Sequence, residues 1–143
     1  MIAEPRTKRG MKPTEIFRIY LTDDDREDRE LFAEALDDLD CKVLLRTFEK
    51  GSELLDCLML EPELPDIIFL DLLMPVFDGE MCTVEIRKHK RFDRTPIVIY
   101  STVFDMERIE QLFILGANRY LQKSSSYPAL VSSLGRVLDY AVK

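Results

Sequence analysis

Tryptophan is absent from this 143-residue chain, histidine occurs once and cysteine three times. These shortages remove several chemistries at the outset. Cys41, Cys57 and Cys82 are odd in number, far apart and never spaced Cys-x-x-Cys, and each lies beside apolar residues. They read as buried or half-buried free thiols, not as a zinc site or a disulfide framework. His89 sits in the charged stretch Arg87-Lys88-His89-Lys90-Arg91 and reads as solvated. Zinc ligation and Ser/His or Cys/His catalysis therefore lack their residues. Long apolar runs are missing too, so no segment is expected to span a membrane. The basic N-terminus is not followed by the apolar core of a secretory signal, which makes the cytoplasm the expected location.

What is present is ordinary for one globular domain: 46% hydrophobic and 33% charged residues. The net charge of −7 is uneven. Residues 1–12 carry +3, from Arg6, Lys8, Arg9 and Lys12 against Glu4, and the remainder carries −10. A domain that acidic repels nucleic acid and anionic lipid, so neither is an expected partner. Residues 1–14 read as a flexible basic arm, and residues 15–143 as the domain.

The chain is organised around residues 67–79. Ile67-Ile68-Phe69-Leu70 is an apolar run without a polar face, the mark of a strand buried on both sides in a parallel sheet. It ends in a single carboxylate, Asp71, and Asp78-Gly79 provide turn chemistry and a helix cap. A charge at the end of a buried strand is costly unless compensated, and that edge of an open α/β sheet is where ligands bind.

Four more strands are expected: Ile16–Thr22, Cys41–Phe48, Thr95–Tyr100 and Arg119–Gln122. Between and after them lie helices over Arg26–Leu39, Glu53–Leu60, Glu80–Lys90, Met106–Leu115 and Tyr127–Val142. The first helix shows Leu31, Phe32, Ala35, Leu36 and Leu39 on one stripe, and the third a thin stripe of Met81, Val84 and Ile86. The last places Leu130, Val131, Leu134, Val137, Leu138 and Ala141 on its buried side, and Gly116 reads as the C-cap of the fourth. Alternating strands and helices predict right-handed crossovers and a doubly wound, five-stranded parallel sheet of order 2-1-3-4-5, flavodoxin-like in topology.

In such a sheet the polar residues that close the strands share one edge. Asp23, Asp24 and Asp25 follow strand one, Asp71 ends strand three, Ser101 and Thr102 end strand four, and Lys123 follows strand five. Crowded carboxylates need a counter-charge, and all-oxygen ligands favour Mg²⁺. A cation, an ammonium and a hydroxyl around a nucleophilic aspartate are the components of phosphoryl transfer through an aspartyl phosphate.

With these residues in view, the chain resembles the receiver domains of two-component response regulators over about residues 15–142. The paired acids match Asp23 and Asp24. The D-x-x-M-P-x-x-D-G signature matches Asp71, Met74, Pro75, Asp78 and Gly79, and the strand-end hydroxyl and lysine match Ser101 and Lys123. The switch aromatic matches Tyr120. The resemblance implies a phosphoacceptor at Asp71, supplied by a sensor histidine kinase or a histidine phosphotransfer protein. It implies Mg²⁺ held by Asp24, Asp71 and the backbone carbonyl of Leu73, with Asp23 acting through a metal-bound water. It further implies Ser101 and Lys123 on the phosphoryl oxygens, and Tyr120 coupling to a helix 4–strand 5–helix 5 surface that meets a downstream protein. Such a domain catalyses only its own phosphorylation and dephosphorylation and is not otherwise an enzyme.

The chain departs from the family pattern in three places. Ser101 replaces the commoner threonine. Ser124 stands where proline with a cis bond is usual, and since a non-proline cis bond costs about 2.5–4 kcal/mol the Lys123–Ser124 bond is expected to be trans. Leu73 and Val103, two residues beyond Asp71 and Ser101, are apolar where the family tunes water attack, so slow self-dephosphorylation is expected. No DNA-reading element is evident, and a stand-alone role is expected. An intermediate relay carrier and a degenerate, phosphorylation-independent receiver are the alternatives. A phosphohydrolase would need an acid where Leu73 stands, and an FMN module would need a phosphate loop where Asp23-Asp24-Asp25 stand.

Overall fold

The computed structural model describes residues 16–141. The expected N-terminal arm, residues 1–14, and the expected helix end at Val142 lie outside the described residues. The elements run β1 (Phe17–Thr22), α1 (Arg26–Asp38), β2 (Val43–Phe48), α2 (Gly51–Leu60), β3 (Ile67–Leu70), α3 (Gly79–Arg87), β4 (Ile97–Ser101), α4 (Met106–Leu115), β5 (Arg119–Gln122) and α5 (Tyr127–Ala141). All strand pairings are parallel, in the order β2-β1-β3-β4-β5, as the alternation of elements predicts.

Side chains on a strand alternate between faces, and here both faces are apolar. Ile19, Leu21, Ile67, Phe69, Val98 and Tyr100 face a core closed by Phe32, Ala35 and Leu36 of α1 and by Leu130, Leu134, Val137 and Leu138 of α5. Tyr20, Ile68, Leu70, Ile97 and Ile99 face the opposite core with Leu54 and Leu58 of α2, Cys82 and Ile86 of α3, and Leu112 of α4. All four residues of β3 are buried. Within the sheet, the central strands β1, β3 and β4 realise most of the about 1.5–3 kcal/mol per buried large apolar side chain, and the half-exposed edge strands β2 and β5 do not.

Several boundaries and faces differ from expectation. Ile16 is half exposed and outside β1, and β2 begins at Val43 instead of Cys41. Helix α2 starts earlier, at Gly51, where the Glu53 carboxylate accepts the Lys50 backbone N–H. Leu31 faces solvent while Phe32, Ala35 and Leu36 fill the α1 interface. In α3 the buried face is Gly79, Cys82, Thr83 and Ile86, and Met81 is exposed. Asp78 caps that helix by accepting the Met81 N–H, and Gly79 lies against the Asp71 backbone, which together fix its rotation. Thr83 tolerates burial because its hydroxyl donates to the Gly79 carbonyl. The helix also ends at Arg87, three residues early, because a 3-10 turn over Lys90–Phe92 drives Phe92 into the core. Strand β4 begins at Ile97, not Thr95, and runs on to Ser101. Cys82 is buried, Cys41 and Cys57 are half-buried, all three are free thiols, and His89 is exposed. No described peptide bond is cis, so Lys123–Ser124 is trans.

Candidate functional site

The sheet ladder carries the site residues one position past each strand. Asp23 N–H donates to the Phe48 carbonyl, Asp71 N–H to the Thr22 carbonyl, and Lys123 N–H to the Ser101 carbonyl. Each of the three is thus pinned by backbone to the neighbouring strand, and their side chains meet above the carboxyl edge. Gly79 is needed beneath them. A Cβ there would lie 2.4 Å from the Asp71 carbonyl oxygen, so no other residue lets α3 start this close.

Asp71 is 5% exposed. Its Oδ1 accepts the Leu73 N–H at 3.1 Å and its Oδ2 accepts from Lys123 Nζ at 3.1 Å. Asp23 is fully buried, its Oδ1 held by the Asp25 N–H at 2.9 Å. Its Oδ2 stands 2.8 Å from Lys123 Nζ as an ion pair but is poorly aimed for a hydrogen bond, leaving a buried carboxylate oxygen without a donor. Burial pushes the Asp23 carboxyl up to about 6, against the opposing pull of Lys123 and the Asp25 N–H. Burial acts to lower the Lys123 ammonium, but the carboxylates of Asp23, Asp28 and Asp71 outweigh it and hold Lys123 above the usual lysine range.

One carboxylate oxygen from each of Asp23, Asp24 and Asp71 lies within 4.8 Å of the other two. Asp24 is exposed, so the cluster opens to solvent on one side. Three hard carboxylate ligands, one from the fully buried Asp23, fit a divalent cation of the Mg²⁺ type. A recess of about 390 Å³ lined by Asp24, Lys50, Gly51, Pro75, Val76 and Phe77 flanks this opening. Another, of about 570 Å³, lies at the opposite sheet edge among Asp93, Thr95, Asn118 and Arg119, remote from the acids.

The structure therefore gathers Asp23, Asp24, Asp71 and Lys123. Leu73 joins through its backbone N–H, and the residue is 54% exposed. Ser101 is fully buried at the end of β4, its Oγ accepting the Val103 N–H at 3.4 Å. Tyr120 is one strand further along and half-buried. Its hydroxyl donates to the Ser101 carbonyl at 3.4 Å, and its ring meets Phe104 edge-on. Two residues were not singled out in the sequence. Asp28 accepts from Lys123 Nζ at 2.8 Å, and the Arg29 guanidinium donates to the Asp23 carbonyl at 2.7 Å. No spacing in the sequence marks Asp28, which stands in the first turn of α1 and meets the site only through Lys123.

Comparison with known proteins agrees with this fold. Residues 19–135 match the response regulator receiver domain. The chain is similar to the chemotaxis protein CheY of Halobacterium salinarum, 27% identical over 122 residues that cover 85% of this chain and 96% of that one. It is similar to the probable methanogenesis regulatory protein FilR2 of Methanothrix harundinacea, 25% identical over 128 residues covering 87% and 83%. In two other relatives, a transcription factor and a sensor histidine kinase, the matching stretch is 16% of the length. Among solved structures, the phosphorylated cyanobacterial phytochrome response regulator RcpA superposes with a TM-score of 0.82 at 27% identity, covering 90% of this chain and 96% of that one. The family match and the shared fold agree, and the chain belongs to the response regulator receiver domain family.

Proposed function

We propose that the chain is a phosphorylation switch in which Asp71 accepts a phosphoryl group from the phosphohistidine of a sensor histidine kinase or a histidine phosphotransfer protein. The observation that carries this reading is the setting of Asp71: nearly buried, 3.1 Å from Lys123 Nζ, and within one small space with Asp23 and Asp24. The phosphorylated state of the relative RcpA supports it. An Asp71 carboxylate oxygen forms a bond to phosphorus while the phosphorus–nitrogen bond breaks, and the imidazole keeps the electron pair and takes up a proton. Lys123 and Ser101 bind the phosphoryl oxygens. The carboxylates of Asp23, Asp24 and Asp71 with the Leu73 carbonyl would hold Mg²⁺, Asp23 through a water. When bound, the ion supplies positive charge against the crowded carboxylates and the phosphoryl oxygens.

Ser101 drawn toward the phosphoryl group shifts the carbonyl that the Tyr120 hydroxyl holds. Tyr120 then passes the change to the α4–β5–α5 face, where exposed Phe104, Gln111 and Gln122 meet a downstream protein. This is a two-state element biased by local charge. Apolar Leu73 and Val103 keep the acyl phosphate long-lived, and the working unit is residues 15–143. The test is acetyl phosphate with and without Mg²⁺, read by intact mass on wild type and Asp71→Asn. One phosphoryl adduct that needs both Mg²⁺ and Asp71 is expected; a folded wild type with no adduct refutes the reading.

A further inference from the structure

Lys123 is shared among more carboxylates than the phosphoacceptor reaction requires. Its ammonium touches Asp23 Oδ2 at 2.8 Å, Asp28 Oδ2 at 2.8 Å and Asp71 Oδ2 at 3.1 Å. The Asp71 contact is the longest of the three. The ammonium hydrogen-bonds Asp28 and Asp71 and forms an ion pair with Asp23, so three carboxylates compete for one charge. The nitrogen also lies 5.2 Å from the centre of the Tyr100 ring, so it is enclosed on that side as well.

The three acids differ in freedom. Asp23 is fully buried, with its backbone N–H on the Phe48 carbonyl and its Oδ1 on the Asp25 N–H. Asp71 is the acceptor itself. Asp28 stands in the first turn of α1, a turn already capped by Asp25 through the Glu27 and Asp28 N–H groups, and its side chain is 31% exposed. Its carboxylate is therefore not engaged in capping the helix and is aimed at Lys123. A lysine that moves onto the oxygens of a phosphoryl group must loosen one of these contacts, and Asp28 is the partner whose side chain is open to solvent.

We infer that Asp28 is a positioning residue that parks Lys123 away from the incoming phosphoryl group and so slows phosphoryl uptake at Asp71. The inference rests on the reading of Asp71 as phosphoacceptor. Asp28 acts through Lys123 and does not touch the reacting atoms. Its charge opposes an anionic donor directly and also weakens the pull of Lys123 on that donor. Both carboxylates lie within hydrogen-bond reach of one nitrogen, so they are under about 6 Å apart. Removing one negative charge at that distance, in surroundings of intermediate dielectric, changes the uptake rate by roughly tenfold at low salt.

The experiment measures the rate of adduct formation from acetyl phosphate with Mg²⁺ by intact mass, in wild type, Asp28→Asn, Asp28→Glu and Asp71→Asn. Asp28→Asn keeps the shape and an acceptor oxygen but loses the charge. It is expected to take up phosphoryl about tenfold faster than wild type, the gain shrinking as salt rises through screening, while Asp28→Glu returns toward the wild-type rate. A merely structural role would instead slow uptake or leave it unchanged, with no salt dependence of the ratio. If wild type forms an Asp71-dependent adduct and a folded Asp28→Asn forms it no faster, the Asp28 inference is overturned and the phosphoacceptor reading stands. If the folded wild type forms no adduct, both are overturned.

Discussion

Replacing Arg87 tests how the site's foundation is held. Among the described residues its guanidinium hydrogen-bonds only neutral oxygens. Nε donates to the Gly116 carbonyl at 2.9 Å, Nη1 to the Phe92 carbonyl at 2.6 Å, and Nη2 to the Thr95 carbonyl at 2.9 Å and Asn118 Oδ1 at 2.8 Å. One side chain thereby ties the end of α3 to the loop before β4 and the loop before β5. Its stem lies directly against Gly116, whose φ of +121° and lack of a Cβ make room for it. Burial lowers the arginine's pKa against the raising charge of Asp93, yet a guanidinium stays protonated. Four hydrogen bonds from a charged donor, each contributing about 1 kcal/mol net in this half-exposed setting and not fully additive, give a loss of about 3 kcal/mol for Arg87→Ala. For a domain of this size that lowers the melting temperature by about 10 °C. Arg87→Lys, a single point donor without the planar fork, should recover less than half of it. Urea denaturation and calorimetry of both variants are the assay. A loss under about 1 kcal/mol for alanine, or full recovery by lysine, would refute the clamp.

Two further outcomes follow from the same geometry. Val76 is 96% exposed with φ of 68°, a left-handed conformation that an L-residue adopts at about 1–2 kcal/mol. Val76→Gly should therefore stabilise the fold by about 0.5–1 kcal/mol net of glycine's extra chain entropy, measured by denaturant titration, and a decrease would contradict the strain. Burial pushes both the Cys82 thiol and the Tyr100 hydroxyl up to about 12, from ordinary values of 9.0 and 10.0. Between about pH 9 and 12 the unfolded chain gives up these protons first while the native state keeps them. Stability therefore falls as pH rises through that window, approaching about 2.7 kcal/mol per pH unit for two protons, and neither group contributes below pH 8. Lys123, Tyr120 and Tyr127 are raised as well and add to the slope in the same direction. Cys82→Ala should remove about 1.4 kcal/mol per pH unit of it in alkaline denaturation curves, and an unchanged slope would rule out the thiol's part.

The local chemistry of the chain was enough to determine the sheet and most of the acidic cluster at its carboxyl edge. Ile67–Leu70 can only be a strand buried on both faces, and strands alternating with amphipathic helices leave one economical topology. Polar residues closing strands one, three, four and five must then share an edge, which suffices to place Asp23, Asp24, Asp71, Ser101 and Lys123 there. Tertiary structure decided what depends on a partner distant in the chain. Arg87 reads as one more solvated charge in a basic run, and only the loops at Phe92, Thr95 and Gly116 make it a clamp. The rotation of α3, with Cys82 and Thr83 inward and Met81 outward, follows from the contact of Gly79 with the Asp71 backbone, which no periodicity encodes. Asp28 reads as an ordinary acid in a first helical turn. It becomes part of the site because Lys123, 95 residues later, extends across the sheet edge to meet it. Hydrophobic periodicity reports which side of an element is buried, whereas the choice of partner for a long polar side chain is settled only when the strands bring their ends together.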